Sequence, residues 1–349
     1  MNSVMQGWFS EVSPDFPGQA FSLKVKEVLF EGKSEFQDVL IFKSATFGRV
    51  LVLDGRIQLT ERDEAFYQEM ITHIPLSVHP NPRRVLIIGG GDGGVAREVV
   101  RHQCVKHVDL VEIDGMVLNL SREYLPFTAS GLDHPKVSVH VADGFAFLKE
   151  HAINGEKYDV IITDSTDPGG PSTPLFNKEY FQLLSQALTD DGIICNQGES
   201  LFLDLSIIKT MVGFCRDVFP NVGYAYNIIP TYTCGHLGYV IACKNENINL
   251  CEAFHEPPAD CKFYTKAVHK AAFVLPKCYE DVIFHLMLPS FVLNNILQKP
   301  SRGASLLLEL KYARPLGLQQ PSSPPVPKDK KKTKKLLTLL RTFFTELER

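Results

Sequence analysis

The chain has 349 residues, 44% of them hydrophobic and 22% charged, which is enough to bury one large core or two modest ones, and no apolar run reaches the roughly eighteen residues a membrane span needs. The net charge of −4 divides unevenly, +8 over residues 284–349 and −12 over residues 1–283. That acidic body argues against nucleic acid as the main ligand and suits cationic small molecules, whose local concentration a negative field raises.

The start, MNSVMQGWFSEVSPDF, lacks the basic-then-apolar order of a signal peptide, so the expected address is the cytoplasm, without a membrane partner. Residues 20–60 hold short β-branched and aromatic runs, FSLKVKEVLF, FQDVLIFKS and GRVLVLDGRIQLT, with Asp54-Gly55 placed as a hairpin turn. They predict a small antiparallel β-domain over residues 1–62. From residue 64, a helical stretch, EAFYQEMITHIPL, leads into alternating apolar strands and amphipathic helices. The strands are VLIIGG (85–90), VDLVEID (108–114), VSVHVAD (137–143), YDVIITD (158–164) and GIICNQGE (192–199). Continuous apolar strands alternating with helices are what a parallel sheet covered on both faces requires, so residues 63–283 read as a doubly wound α/β domain. Residues 220–243 look like a closing pair of strands around Tyr232. The remainder, 284–349, contains QQPSSPPVPKDKKKTKK, which cannot bury a core; it predicts a largely disordered extension with a helix over LLTLLRTFFTELER.

Ligands of such a sheet sit beyond the carboxyl ends of its strands. All five strands here end in polar or acidic residues: Gly89 to Asp92, Glu112 and Asp114, Asp143, Asp164, and Gln197 with Glu199. GGGDGG at 89–94 places Gly89, Gly91 and Gly94 in a GxGxxG pattern between strand and helix, which lets a backbone approach a nucleotide closely but does not by itself separate a dinucleotide from an adenosyl sulfonium. Asp92 inside the loop repels a pyrophosphate and attracts an amine or sulfonium. Glu112 is placed to accept from ribose hydroxyls, and Asp143-Gly144 offers an acceptor for an exocyclic adenine amine. Asp164 ends its strand and Asp167 follows in a turn, so both can face one crevice; two unpaired carboxylates there repel, and a cation relieves the conflict. With an alkyl ammonium as ligand, one carboxylate removes its proton and frees the lone pair to attack a carbon next to the sulfonium. Tyr67-Gln68 and Tyr232 suit the walls of a slot for a polymethylene chain. The eight cysteines show no CxxC pair or zinc-type spacing, so no metal site is expected.

GRVLVLDGRIQLTERDEAFYQEM, VLIIGGGDGGVAREV, VEID, VADGFAFL, IITDSTDPGGPSTPLF, NQGES, IPTYTCGHLGY and HKAAFVLP occur in that order and resemble the spermidine synthases of eukaryotic type over residues 7–283. The resemblance implies a homodimer with an N-terminal β-domain and a Rossmann-like, methyltransferase-type catalytic domain. It implies transfer of an aminopropyl group from decarboxylated S-adenosylmethionine, a co-substrate and not a cofactor, to putrescine, giving spermidine and methylthioadenosine. By it, Asp164 is the general base, and Tyr67, Asp167 and Tyr232 hold the diamine. Gln37, Gln68, Gly89, Gly91, Asp92, Glu112, Asp143 and Gly144 hold the adenosyl donor, with Ser165 and Gln197 close by. Putrescine N-methyltransferase and spermine synthase are the nearest alternatives, and a non-catalytic binding protein of the same fold is a third. Phe16, Thr166 and YTKAVH (264–269) depart from the common pattern of the family.

Overall fold

In a computed structural model of the chain, residues 5–13, 16–168 and 170–285 are described. Met1–Phe284 form one compact unit, which contains everything that follows. The expectation of a disordered extension ending in a helix falls, from residue 286 onward, outside the described residues.

The amino-terminal part is a five-stranded antiparallel sheet of β1 (Trp8–Glu11), β2 (Phe21–Lys33), β3 (Asp38–Ser44), β4 (Arg49–Leu53) and β5 (Arg56–Thr60), paired in chain order. Asp54 and Gly55 turn β4 into β5 with φ of 47° and 79°, the two consecutive positive values that a tight hairpin demands. Alternation along the strands divides the sheet's side chains between two clusters. Phe9, Leu40, Phe42, Val50, Val52 and Ile57 fill one. Val39, Ile41, Leu51, Leu53 and Leu59 pack with Val117, Leu120 and Leu125, which follow the second parallel strand, and so fasten this sheet to the next layer.

The larger sheet has seven strands in the order β11-β12-β10-β9-β6-β7-β8. The parallel strands are β6 (Arg84–Gly89), β7 (His107–Glu112), β8 (Val137–Val141), β9 (Tyr158–Asp164) and β10 (Leu188–Gln197); β11 (Asn221–Ile228) and β12 (His236–Cys243) complete it antiparallel. In β6, Val85 and Ile87 enter one core while Leu86 and Ile88 enter the opposite one, the signature of a strand covered on both faces. Helices α1 (Glu64–Val78) and α2 (Gly94–Val100) lie over the first face, and α5 (Gly144–Asn154), α6 (Lys178–Ala187) and α7 (Leu205–Val218) over the second; α3 (Gly115–Tyr124) and α4 (Pro126–Ala129) follow β7. Chain order reverses where β6 stands between β7 and β9, and that is the crevice in which such sheets bind ligands.

Candidate active site

At the carboxyl ends of β6, β7 and β9 a cavity of about 280 Å³ opens, roofed by residues of β4 and β5 and by the segment between β11 and β12. All fourteen site residues anticipated from the sequence line it: Gln37, Tyr67, Gln68, Gly89, Gly91, Asp92, Glu112, Asp143, Gly144, Asp164, Ser165, Asp167, Gln197 and Tyr232. They come from eight separate places in the chain, and the sheet topology gathers them.

The glycine loop is held against β9. Gly90 N–H donates to the Asp164 carbonyl at 3.0 Å, and Gly89, at φ 84°, lies so close that a Cβ there would stand 2.0 Å from that same oxygen. A Cβ on Gly91 would stand 2.9 Å from Glu112 Oε2, so loop and carboxylate interlock. Asp92 follows, its Oδ1 accepting from Gly94 N at 2.8 Å and from Gln68 Nε2 at 3.0 Å. Burial raises the Asp92 carboxyl well above its usual range, and the charge of Asp164 adds to the rise. Burial likewise pushes Glu112 up to about 7, against the hydrogen bond it accepts from Asp114 N at 2.8 Å.

Asp114 organises the neighbouring wall. It caps α3 by accepting from Met116 N and also accepts from Gln37 Nε2 at 2.9 Å and Ser34 Oγ at 2.6 Å. Gln37 therefore reaches the cavity tethered to the first turn of α3. Asp143 caps α5 through Ala146 N at 2.9 Å while remaining exposed at the rim.

Asp164 Oδ1 accepts from the Tyr67 hydroxyl at 2.5 Å, and its Oδ2 is the atom that faces Gly90. Burial raises its carboxyl, the Tyr67 hydrogen bond opposes the rise, and Glu112 adds to it. The Tyr67 and Tyr232 rings stand 5.9 Å apart, and the Tyr232 hydroxyl donates to the Gln58 carbonyl at 2.6 Å, so β5 fixes that ring.

One expectation needs correction. Asp164 and Asp167 share the cavity but are not a mutually repelling pair, because each has its own surroundings. Asp167 is ion-paired to Arg56 and accepts from Gln197 Nε2 at 3.1 Å. The charges acting on Asp164 come from the glycine-loop side instead.

Several lining residues were not singled out from the sequence. Glu11 accepts from Ile57 N at 2.7 Å and from Thr233 Oγ1 at 2.5 Å, and burial raises its carboxyl. Its strand, β1, is only four residues long, too short for alternation to reveal. Arg56 stands at the first position of β5, directly after the hairpin turn. Glu199 appears at a strand end in the sequence but gained no role there; burial, then the Asp167 charge, raises it well above the carboxylate range, and it holds φ 62°. Among the described residues, Gln68 Oε1, Ser165 Oγ, Gln197 Oε1 and Glu199 Oε1 are buried atoms of the cavity without a hydrogen-bond partner. Buried polar atoms left in that condition are costly, and here they line the space in which a polar ligand would meet them.

Residues 64–252 match the family described as Spermine/spermidine synthase domain, and residues 7–61 match the one described as Spermidine synthase tetramerisation domain. The spermidine synthase of Schizosaccharomyces pombe is 51% identical over 285 residues, covering 80% of this chain and 95% of that protein. The one from Dictyostelium discoideum is 50% identical over 279 residues, covering 79% and 97%. A crystal structure of spermidine synthase in complex with the transition state analogue AdoDATO superposes with a TM-score of 0.76 at 35% identity, covering 80% of this chain and 95% of that one. The domain match spans more than half of the chain, and the relatives are covered almost end to end. The chain belongs to the spermidine synthase family.

Proposed function

We propose that this protein is a spermidine synthase, transferring the aminopropyl group of decarboxylated S-adenosylmethionine to putrescine and releasing methylthioadenosine. The observation that carries the reading is the placement of Asp164: its Oδ1 is held by the Tyr67 hydroxyl at 2.5 Å and its Oδ2 faces the glycine loop, at the junction of two halves of one cavity. The adenosyl half is bounded by Gln37, Gln68, Gly89, Gly91, Asp92, Glu112, Asp143 and Gly144. The acceptor half is bounded by Tyr67, Ser165, Asp167, Gln197 and Tyr232, and Glu11 and Glu199 line the same cavity.

In this arrangement Asp92 and Glu112 supply negative charge beside the donor's sulfonium and propylammonium, and the donor's positive charge offsets the cost of keeping both carboxylates ionised. Tyr67 donates to one oxygen of Asp164 and leaves the other to take a proton from the acceptor's ammonium. The freed amine attacks the propyl carbon bonded to sulfur; the C–N bond forms, the C–S bond breaks, and its electron pair leaves on the sulfur of methylthioadenosine. Base assistance of this kind contributes roughly 10² to 10⁴ in rate. The sulfonium is its own leaving group, so the reaction as proposed calls for no metal or further cofactor. We place the enzyme in the cytoplasm as a homodimer; among the described residues no helix is long and apolar enough to cross a membrane.

The test is incubation of purified protein with decarboxylated S-adenosylmethionine and putrescine, scoring methylthioadenosine. Asp164→Asn keeps the acceptor for Tyr67 but not the base, and is expected to lower kcat by about 10² or more. Wild-type protein that releases none, with either putrescine or spermidine as acceptor, returns the chain to a binding role.

A further inference from the structure

The acceptor half of the cavity is rich in carboxylates, with Glu11, Asp167, Glu199 and Asp204 along its wall. Among the described residues that line the cavity, Arg56 alone bears a fixed positive charge. It rises from the first position of β5, where the hairpin turn delivers it under the roof, and its Nη1 is ion-paired to Asp167 Oδ2 while its Nη2 donates to Ser13 Oγ at 3.4 Å. The other Asp167 oxygen accepts from Gln197. Both oxygens of the Asp167 carboxylate are thus already engaged. The guanidinium also acts on Glu11 and Glu199, lowering the cost of ionising each of them.

Resting on the reading above, we propose that Arg56 is a specificity-determining residue: its charge at Asp167 ends the acceptor site after a short diammonium and turns away longer, more highly charged polyamines. Asp164 and the Arg56–Asp167 ion pair line the same cavity, so the pair meets whatever extends from the attacking amine. A longer acceptor brings a further ammonium towards the guanidinium, and like charges repel strongly when partly shielded from water. Arg56 does not touch the reacting amine, so its influence falls on acceptor choice.

The experiment compares kcat/KM for spermidine and for putrescine as acceptors in wild type, Arg56→Gln and Arg56→Lys. Removing the charge is expected to raise the spermidine-to-putrescine ratio roughly three- to tenfold in Arg56→Gln, mainly through KM for spermidine. Arg56→Lys, which keeps a positive charge, stays near the wild-type ratio. An unchanged ratio in the glutamine variant, or an equal rise in both variants, overturns the proposal. If the glutamine variant does not give folded protein, Arg56→Met preserves the aliphatic stem and is read in the same way. Calorimetric titration of each protein with spermidine and with putrescine, in the absence of donor, gives the same comparison without turnover. Failure of wild type to release methylthioadenosine counts against the enzymatic reading, and an unchanged binding preference counts against Arg56.

Discussion

Asp164 illustrates a conflict between stability and function. Without a cation nearby, three carboxyls close to the glycine loop, Asp92, Glu112 and Asp164, are all raised, first by burial and then by other carboxylates or their charges. A carboxyl whose folded pKa lies above its unfolded value binds more protons folded than unfolded in the interval between them. Stability contributed by that proton is full below the unfolded pKa and declines as pH rises towards the folded one, so the protein without substrates loses stability from about pH 4 to about pH 7. Asp164→Asn removes one of the three charges and keeps the acceptor for Tyr67. It is expected to be more stable than wild type by about 1 kcal/mol at pH 8, since the cavity's exposure to water moderates the effect, with the gain shrinking at pH 5. Urea unfolding at the two pH values checks this; a variant less stable than wild type at pH 8 refutes it. The same linkage applies to binding. A cationic donor favours the ionised carboxylates and must expel protons, so its affinity is expected to fall as pH drops from 7 to 5. Proton release, read by calorimetry in buffers of different ionisation enthalpy, is the direct signature.

At the level of elements, the glycine loop depends on how α2 is seated behind it. Arg97 on α2 forms a salt bridge with Glu64 at the start of α1 at 2.7 Å, and the next residue, Glu98, is bound to His73 at 3.1 Å and to Arg97 and Arg101 at 2.9 and 2.5 Å. Burial alone would raise the Glu98 carboxyl, but His73 and the two arginines outweigh it and hold it at about 2. Its contribution to stability is therefore present above the unfolded carboxylate pKa and is lost as pH falls towards 2. Glu98→Ala removes the carboxylate that joins buried His73 to Arg97 and Arg101, leaves His73 Nε2 without its acceptor, and is expected to cost about 3 kcal/mol, seen as a lower urea midpoint at pH 7. A loss under 1 kcal/mol would show that water compensates. None of this seam was legible in the sequence, because His73 and Glu98 sit on different helices and only the tertiary fold pairs them. What was legible is what periodicity encodes: the five parallel strands appear within a few residues of their expected places, and β9 matches its expected limits, Tyr158 to Asp164. β10 begins at Leu188 rather than 192 because an irregularity between Leu188 and Ile193 breaks its pairing with β9, which alternation in the sequence does not signal.

For the whole molecule, the site was legible wherever a residue sits at a strand's carboxyl end or in the glycine loop, since the doubly wound topology carries such residues to one crevice. It was not legible where a contact crosses from the first sheet to the second. Arg56 to Asp167, Glu11 to Thr233 and Tyr232 to Gln58 join positions more than a hundred residues apart that share no pattern. The cavity lies entirely between Glu11 and Leu237, and the described core extends to Ile283, which is fully buried and whose carbonyl accepts from Arg216 Nη1 at 3.4 Å. A chain ending at Phe284 thus retains every cavity residue and every described core residue, while its net charge moves from −4 to −12. It is expected to keep the wild-type kcat. At low ionic strength it should bind putrescine at least as tightly as the full chain, because long-range attraction of a dication grows with negative charge, and the difference should fade as salt shortens the screening length to about 8 Å at 0.15 M. A chain ending at Pro276 lacks Tyr279 and Ile283 from the core and should unfold at lower urea concentration. Loss of turnover on ending the chain at Phe284 would mean that residues beyond it contribute to the site, against the geometry of the cavity.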